Sequence, residues 1–223
     1  MAQGRDLAVK EHKEHVVVLG AGGHAKVVIE ILQANGETVD YCVSRTHGAE
    51  TCVGVSGLEG DEHLPLLRQK GYCRAFVAIG SNANRQRVAD VVRRVGFQLI
   101  NAISPHAIIS PSVRLGGGIA VMAGAVINAA SVVDDLVIIN TGATIDHDCH
   151  LGRGVHIGPQ CALAGNVTVG EGAFLGTGAK VIPGMQIGRR AIVGAGGVVI
   201  RNIPDGAVAV GVPARVIKQE HME

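Results

Sequence analysis

From Ile103 to Val199 every sixth residue is aliphatic, seventeen positions in a row: Ile103, Ile109, Leu115, Val121 and onward without a break. A spacing of six matches neither a helix nor an alternating strand. It predicts a parallel β-helix of hexapeptides, each one short strand and one tight corner, three to a triangular coil. The aliphatic residue points inward and stacks on its equivalent eighteen residues later, with coils about 4.8 Å apart. The position after it is often Gly or Asn, as at Gly116, Asn128, Asn140 and Gly152. Such corners need a positive φ or a close backbone approach.

Before residue 100 the pattern changes. Val16–Leu19 is an apolar run, followed by a glycine-rich turn and helical spacing over His24–Asn35, with Gly36 as a stop. The stretches 39–44 (VDYCVS) and 75–81 (AFVAIGS) read as further strands, and Glu62–Lys70 and Asn84–Val95 as helices. The alternation predicts a small βαβαβ parallel sheet. The expected organisation is a polar lead-in over 1–14, a Rossmann-like α/β domain over 15–101, a β-helix over 102–203 and a tail over 204–223. His12 and His15, in or beside the lead-in, are given no function.

Composition narrows the function. A net charge of +1 and 2% aromatic residues give no reason to expect nucleic acid or a membrane surface. No apolar run reaches membrane-spanning length. Five scattered cysteines, with no C-x-x-C, argue against a disulfide framework or a cysteine-rich zinc site and point to a reducing, cytoplasmic setting. The 32 glycines, about twice the usual share, are explained by the coil corners. Gly20, Gly22 and Ala25 form a G-x-G-x-x-A turn, with Asp40 about twenty residues on. This is compatible with a dinucleotide site, with a plain tight turn, or with backbone N–H groups facing another phosphate or sugar.

Asp146, His147 and Asp148 break into an apolar region. An imidazole titrates near neutral pH, and an adjacent carboxylate fixes its tautomer and stabilises the imidazolium. His147 is therefore the candidate general base. On sequence alone Asp146 and Asp148 compete as its partner. Cys149 and Cys161 fall at small repeat positions and are not read as acyl carriers.

The repeat, with the ending GVPARVIK (211–218), resembles the hexapeptide-repeat acyltransferases, which implies a left-handed coil. The segments GAGGHAKVV (20–28), VAIGSNANR (77–85) and INTGATIDHDCHLG (139–152) resemble the PglD/NeuD-like sugar acetyltransferases. That resemblance implies an acetyl-CoA-dependent N-acetyltransferase acting on the 4-amino group of a nucleotide-linked 4-amino-4,6-dideoxy sugar, UDP-bacillosamine-type or GDP-perosamine-type. It selects Asp148 as the partner of His147, though related enzymes often carry the longer Glu there. It implies His156, Gly165, Thr177 and Ala195 at the acetyl-CoA thioester, where a backbone N–H suits the oxyanion. It implies Gly20, Gly22, Gly23, His24, Gly80, Ser81, Asn82, Arg85, Asn140 and Thr141 at the nucleotide sugar. A homotrimer with interfacial sites and direct attack in a ternary complex follow from the same likeness. Lys180, Arg189, Arg190, Arg201 and Lys218 are open candidates for CoA phosphates. Three alternatives stand beside it: sugar O-acetylation, a γ-carbonic-anhydrase-like zinc site with His147, His150 and His156 drawn from two subunits, and a non-catalytic scaffold or sugar-nucleotide sensor. The leading reading calls for no metal.

Overall fold

A computed structural model describes residues 14–45 and 51–219; His12 and nearly all of the lead-in lie outside them. The chain divides into two compact units, 1–102 and 103–223.

The first unit runs β1 (Val16–Leu19), α1 (Gly23–Ala34), β2 (Val39–Ser44), β3 (Thr51–Cys52), β4 (Val55–Glu59), α2 (His63–Gln69), β5 (Arg74–Val77), α3 (Asn82–Val95) and β6 (Gln98–Leu99). The sheet order is β3-β4-β2-β1-β5-β6. All pairings are parallel except β3 on β4. β1 is buried along its whole length, and α1 buries Ala25, Val28, Ile29, Ile31 and Leu32 at helical spacing. The sheet has six strands where the hydrophobic pattern shows three. β3 and β6 are two residues long, and β4 (VSGLE) is only half-buried, so none of them writes an apolar run. β2 and β5 flank β1, so successive crossovers leave β1 toward opposite edges of the sheet. Loops at the carboxyl ends of such strands part there and open a crevice.

The second unit is a parallel β-helix. Its strands are two residues long, from Ile108–Ile109 to Val198–Val199 in steps of six, with Ala102–Ile103 at its start. Pairing follows the eighteen-residue step: Ile127 on Ile145, Ile145 on Leu163, Leu163 on Val181 and Val181 on Val199. The inward residue of each central coil is 0–3% exposed. Burying each such side chain contributes about 1.5–3 kcal/mol. The outward residues of the three faces differ. One face presents Ile138, His156, Phe174 and Ile192; the second Val126, Thr144, Ala162 and Lys180; the third Arg114, Val132, His150 and Thr168. Residues 204–223, expected as a tail, include the strands Ala207–Val210 and Arg215–Gln219, which pair antiparallel and extend the first face.

The two reasons for small residues at the corners separate by position. Directly after the inward residue, a Cβ has no room: at Gly158 it would lie 2.5 Å from the Leu175 carbonyl oxygen on the next coil. The left-handed φ falls two residues further on, as at Gly142 (65°) and Asp148 (57°).

Candidate active site

His147 and Asp148 sit in a corner between the second and third faces, after the inward Ile145. Asp148 takes the left-handed φ there, which short polar residues tolerate better than most. The turn is anchored on both sides: the Asp148 N–H donates to the Ala129 carbonyl (3.0 Å) and the Asn166 N–H to the His147 carbonyl (2.9 Å). Below it, fully buried Ser131 donates to the Asp146 carbonyl (2.8 Å) and accepts the Cys149 N–H (3.2 Å). His147 Nδ1 lies 2.8 Å from Asp148 Oδ2. A carboxylate only accepts, so the proton sits on Nδ1 and the Nε2 lone pair is left for chemistry. Asp146 has a different task. Its Oδ1 accepts the His147 N–H (2.8 Å) and Asn128 Nδ2 (3.0 Å), so it secures the turn rather than the ring. These two donors hold its carboxyl below the usual range. The hydrogen bond to Asp148, then the Asp146 charge, pushes the His147 pKa up from its ordinary value, although the ring is exposed.

Gly165, one coil on, lies against this ring. A Cβ there would fall 2.5 Å from His147 Cε1 and 2.6 Å from Nε2. Among the described residues, the N–H groups of Gly165, Thr177 and Ala195 make no hydrogen bond, and all three stand two places after an inward residue. At some other corners that amide is capped by a side chain, as Asp135 caps Gly117 and Asp205 caps Arg189; at Ala123, Ala129 and Glu171 it is open as well among the described residues.

A second cluster occupies the corner between the first and second faces. Asn140 Nδ2 is 3.2 Å from His156 Nε2, and the Thr141 N–H donates to Asn140 Oδ1 (2.8 Å). The His156 ring packs edge-on against Phe174, centroids 5.2 Å apart. Thr177 and Ala195 follow in the same column of corners, while Gly165 lies in the His147 column. The two clusters therefore stand at opposite edges of the second face, and one chain does not bring them together. His150 is separate again, on the third face, with Nε2 3.1 Å from Asp134 Oδ2. Within one chain His147, His150 and His156 are therefore not brought together. Among the described residues no three His, Cys, Asp or Glu side chains form a metal-holding group. Lys180, Arg189, Arg190, Arg201 and Lys218 are all exposed, and the geometry does not choose among them.

In the first unit a cavity of about 420 Å³ lies at the carboxyl ends of β1, β2 and β5. Gly20, Gly22, Gly23, His24 and Gly80 line it, with Asn84 and Arg87 of α3. The N-termini of α1 and α3 flank the two loops and favour an anion there. Gly20 has φ 121°, and a Cβ on it would lie 2.6 Å from the Ala78 carbonyl oxygen. His24 Nε2 is buried with no hydrogen-bond partner among the described residues. Burial, then the Arg85 charge, lowers the His24 pKa to about 4. Arg85, 1% exposed, lies behind the wall, donating to the carbonyls of Ile79 and Gly80 (3.0 Å each) and to Asn82 Oδ1 (2.9 Å). Burial lowers its pKa to about 10. Ser81 stands at the N-cap of α3 and Asn82 begins it, and neither lines the cavity.

Asp40 corrects the dinucleotide reading. It is the second residue of β2, at the end opposite the glycine loop, where its Oδ2 meets His15 Nδ1 (2.8 Å) and accepts from the Tyr72 hydroxyl (2.6 Å). The residues at the useful end of β2 are Ser44 and Arg45, which line the cavity with Asp61. Sequence reasoning passed over Arg45, Asp61 and Arg87. The rule that ligands sit beyond the carboxyl ends of parallel strands was the signal available for finding them.

Residues 15–92 match the family described as the PglD N-terminal domain. The chain is 56% identical to PerB, the GDP-perosamine N-acetyltransferase of Caulobacter crescentus, solved with CoA and GDP-perosamine. That match covers 92% of this chain and 97% of PerB, with a TM-score of 0.89. It is 38% identical to the acetyltransferase domain of PglB from Neisseria gonorrhoeae, solved with acetyl coenzyme A, over 92% of this chain and all of that one (TM-score 0.85). WeeI from Acinetobacter baumannii, at 24% identity over 91% and 99% of the two chains, shares the fold (TM-score 0.84). The fold is accordingly a Rossmann-like domain followed by a left-handed β-helix. With more than half the residues identical over nearly all of both chains, this protein belongs to the PglD/NeuD-like family of hexapeptide-repeat sugar N-acetyltransferases.

Proposed function

We propose that the chain transfers an acetyl group from acetyl-CoA to the 4-amino group of a nucleotide-linked 4-amino-4,6-dideoxy sugar, GDP-perosamine in type. The observation that carries this is the His147–Asp148 pair seated on Gly165, with Nε2 free to accept a proton. The amine attacks the thioester carbonyl, and His147 Nε2 takes the proton that the nitrogen must lose; the tetrahedral intermediate then collapses, the C–S bond breaks, and CoA leaves as the thiol on taking up that proton. Asp148 holds the ring and stabilises the imidazolium. The charge that develops on the carbonyl oxygen needs a donor, and the uncapped N–H groups of Gly165, Thr177 and Ala195 are the candidates. Acetyl-CoA supplies the activated acyl group, and the small outward residues Thr144 and Ala162 leave room along the second face. The crevice of the first unit takes the nucleotide sugar, with the diphosphate at the two helix N-termini. Asn140 and Thr141 complete the sugar site.

The separation of the His147 and Asn140–His156 clusters supports a homotrimer. A neighbouring copy would set the first corner of one chain beside the second corner of the next, with one site at each interface. Among the described residues no helix is long and apolar enough to cross a membrane. The scattered free cysteines suit a reducing setting, and the proposed one is the cytoplasm.

The test is release of CoA thiol on mixing acetyl-CoA with GDP-, UDP- and dTDP-linked 4-amino sugars, with the product weighed by mass spectrometry. A gain of one acetyl on the sugar is expected. Light scattering should return about three times the 23.0 kDa chain. Full activity from a monomer overturns the shared site.

A further inference from the structure

We propose that the far end of the first unit's cavity is a base-reading subsite that selects guanine, through Asp61 and Arg45. The inference rests on the nucleotide-sugar reading above and names the device that chooses the nucleotide.

The cavity has two chemically distinct ends. One is the switch point between β1 and β5, with Gly20–His24, Gly80 and Arg87, suited to a diphosphate. The other is the carboxyl end of β2 and the loop after β4, where Arg45 and Asp61 stand together. In the proposed pose a nucleotide sets its phosphates at the first end and turns its base toward the second.

Arg45 and Asp61 form an ion pair in which Nε (2.6 Å) and Nη2 (2.5 Å) both meet Oδ2. Neither contact uses Oδ1. The arginine side chain is 54% exposed and the aspartate 30%, so a ligand reaches both. Along this edge the protein therefore offers donors from Arg45 and then acceptors from Asp61. The Watson–Crick edge of guanine reads O6 acceptor, N1–H donor, N2–H donor, which is the complement. Uracil reads acceptor, donor, acceptor, and its O2 would face the carboxylate with no hydrogen between them. Adenine offers a donor to Arg45 and an acceptor to Asp61, wrong at both places. A carboxylate takes two adjacent donors well and tolerates an adjacent acceptor poorly.

The experiment is calorimetric titration of the wild-type chain with GDP, IDP and UDP. IDP differs from GDP by the N2 amine alone. GDP is expected to bind about tenfold more tightly than IDP, the effect of one charged hydrogen bond at a part-exposed site. UDP is expected below both. In Asp61→Asn the amide sets a donor against N2, and GDP should fall to within about twofold of IDP. Equal affinity of wild type for GDP and IDP overturns the subsite. So does an Asp61→Asn variant that weakens GDP and IDP alike. The acetyl-transfer reading fails separately: thiol release with every nucleotide-linked amino sugar would be absent, whatever the ratio of GDP to IDP.

Discussion

Two histidines, one in each unit, show how differently the fold treats one side chain. His24 stands at the start of α1, its Nε2 enclosed and unpartnered among the described residues, and burial with Arg85 nearby keeps it neutral down to about pH 4. His147 stands on a corner, open to solvent, and the carboxylates on either side move its pKa the other way. The first is held neutral beside helix N-termini that favour an anion. The second is held where protonation is favoured. The backbone makes the difference. His24 is enclosed where α1 begins, whereas His147 projects from an exposed corner of the coil.

The largest expected effect tests the base. His147→Ala should lower kcat by about a thousandfold, within the range that general base catalysis supplies, while KM for the sugar nucleotide changes little. A drop below tenfold would remove His147 from the proton transfer. The matching test for His24 is of stability. The folded-state pKa of about 4 lies below the unfolded value of 6.5, so the unfolded chain takes the proton first as pH falls. Stability is fully present above about pH 6.5 and is lost progressively toward pH 4. The loss across that window is about 3 kcal/mol. Urea unfolding of wild type and His24→Gln at pH 7 and pH 4.5 reads it as a difference in slope. Parallel losses in the two proteins would mean that His24 is not the group enclosed.

The comparison also marks what the sequence could reveal. The coil was legible because one constraint repeats: an inward aliphatic residue every six positions, with no room for exceptions in a narrow interior. Its corner chemistry was half legible. Glycine was expected for either of two reasons, and only coordinates separate Gly158, which lacks space, from Gly142, which needs its φ. The pairing of His147 with Asp148 and not Asp146 was undecided locally, because both carboxylates are one residue away; the turn decides, sending Asp146 to backbone and Asn128. Ser131 read only as a small residue, yet it ties both ends of the His147 turn from eighteen and fifteen residues away. In the first unit β3 and β6 were missed because short edge strands need little apolar surface, and β4, one place in from the edge, because it is only half-buried. Asp40 misled because a spacing of twenty says nothing about which end of the next strand a residue occupies.

A smaller effect sharpens the account of the corner. Gly165→Ala places a methyl where the His147 ring lies, and the three nearest atoms to it all belong to that ring. The fold should survive, because φ at this position is not left-handed and nothing else is crowded. The imidazole must shift, and a displacement of about 1 Å can cost on the order of a hundredfold in rate. Unchanged kcat with an unchanged melting temperature would show that the ring is not held where Gly165 leaves room for it.

The smallest expected effect is a displacement along the pH axis, and it separates the two tasks of Asp148. His147 acts as base only when neutral, so kcat/KM should fall on the acid side as the imidazole becomes protonated. Because the Asp148 hydrogen bond and then the Asp146 charge raise that pKa, the acid limb should lie above the ordinary histidine value of 6.5. Asp148→Asn removes the larger cause and leaves Asp146 in place. The limb should then move to lower pH, while the plateau drops because the imidazolium loses its stabilising carboxylate and the ring loses its fixed tautomer. A variant with a lower plateau and an unmoved limb would mean that Asp148 orients the ring without charging it. A moved limb with an intact plateau would mean the reverse. His24 has no carboxylate partner among its described contacts, and its titration should not enter this profile. A second inflection near pH 4 that persists in Asp148→Asn and disappears in His24→Gln would place the buried histidine on the reaction path after all.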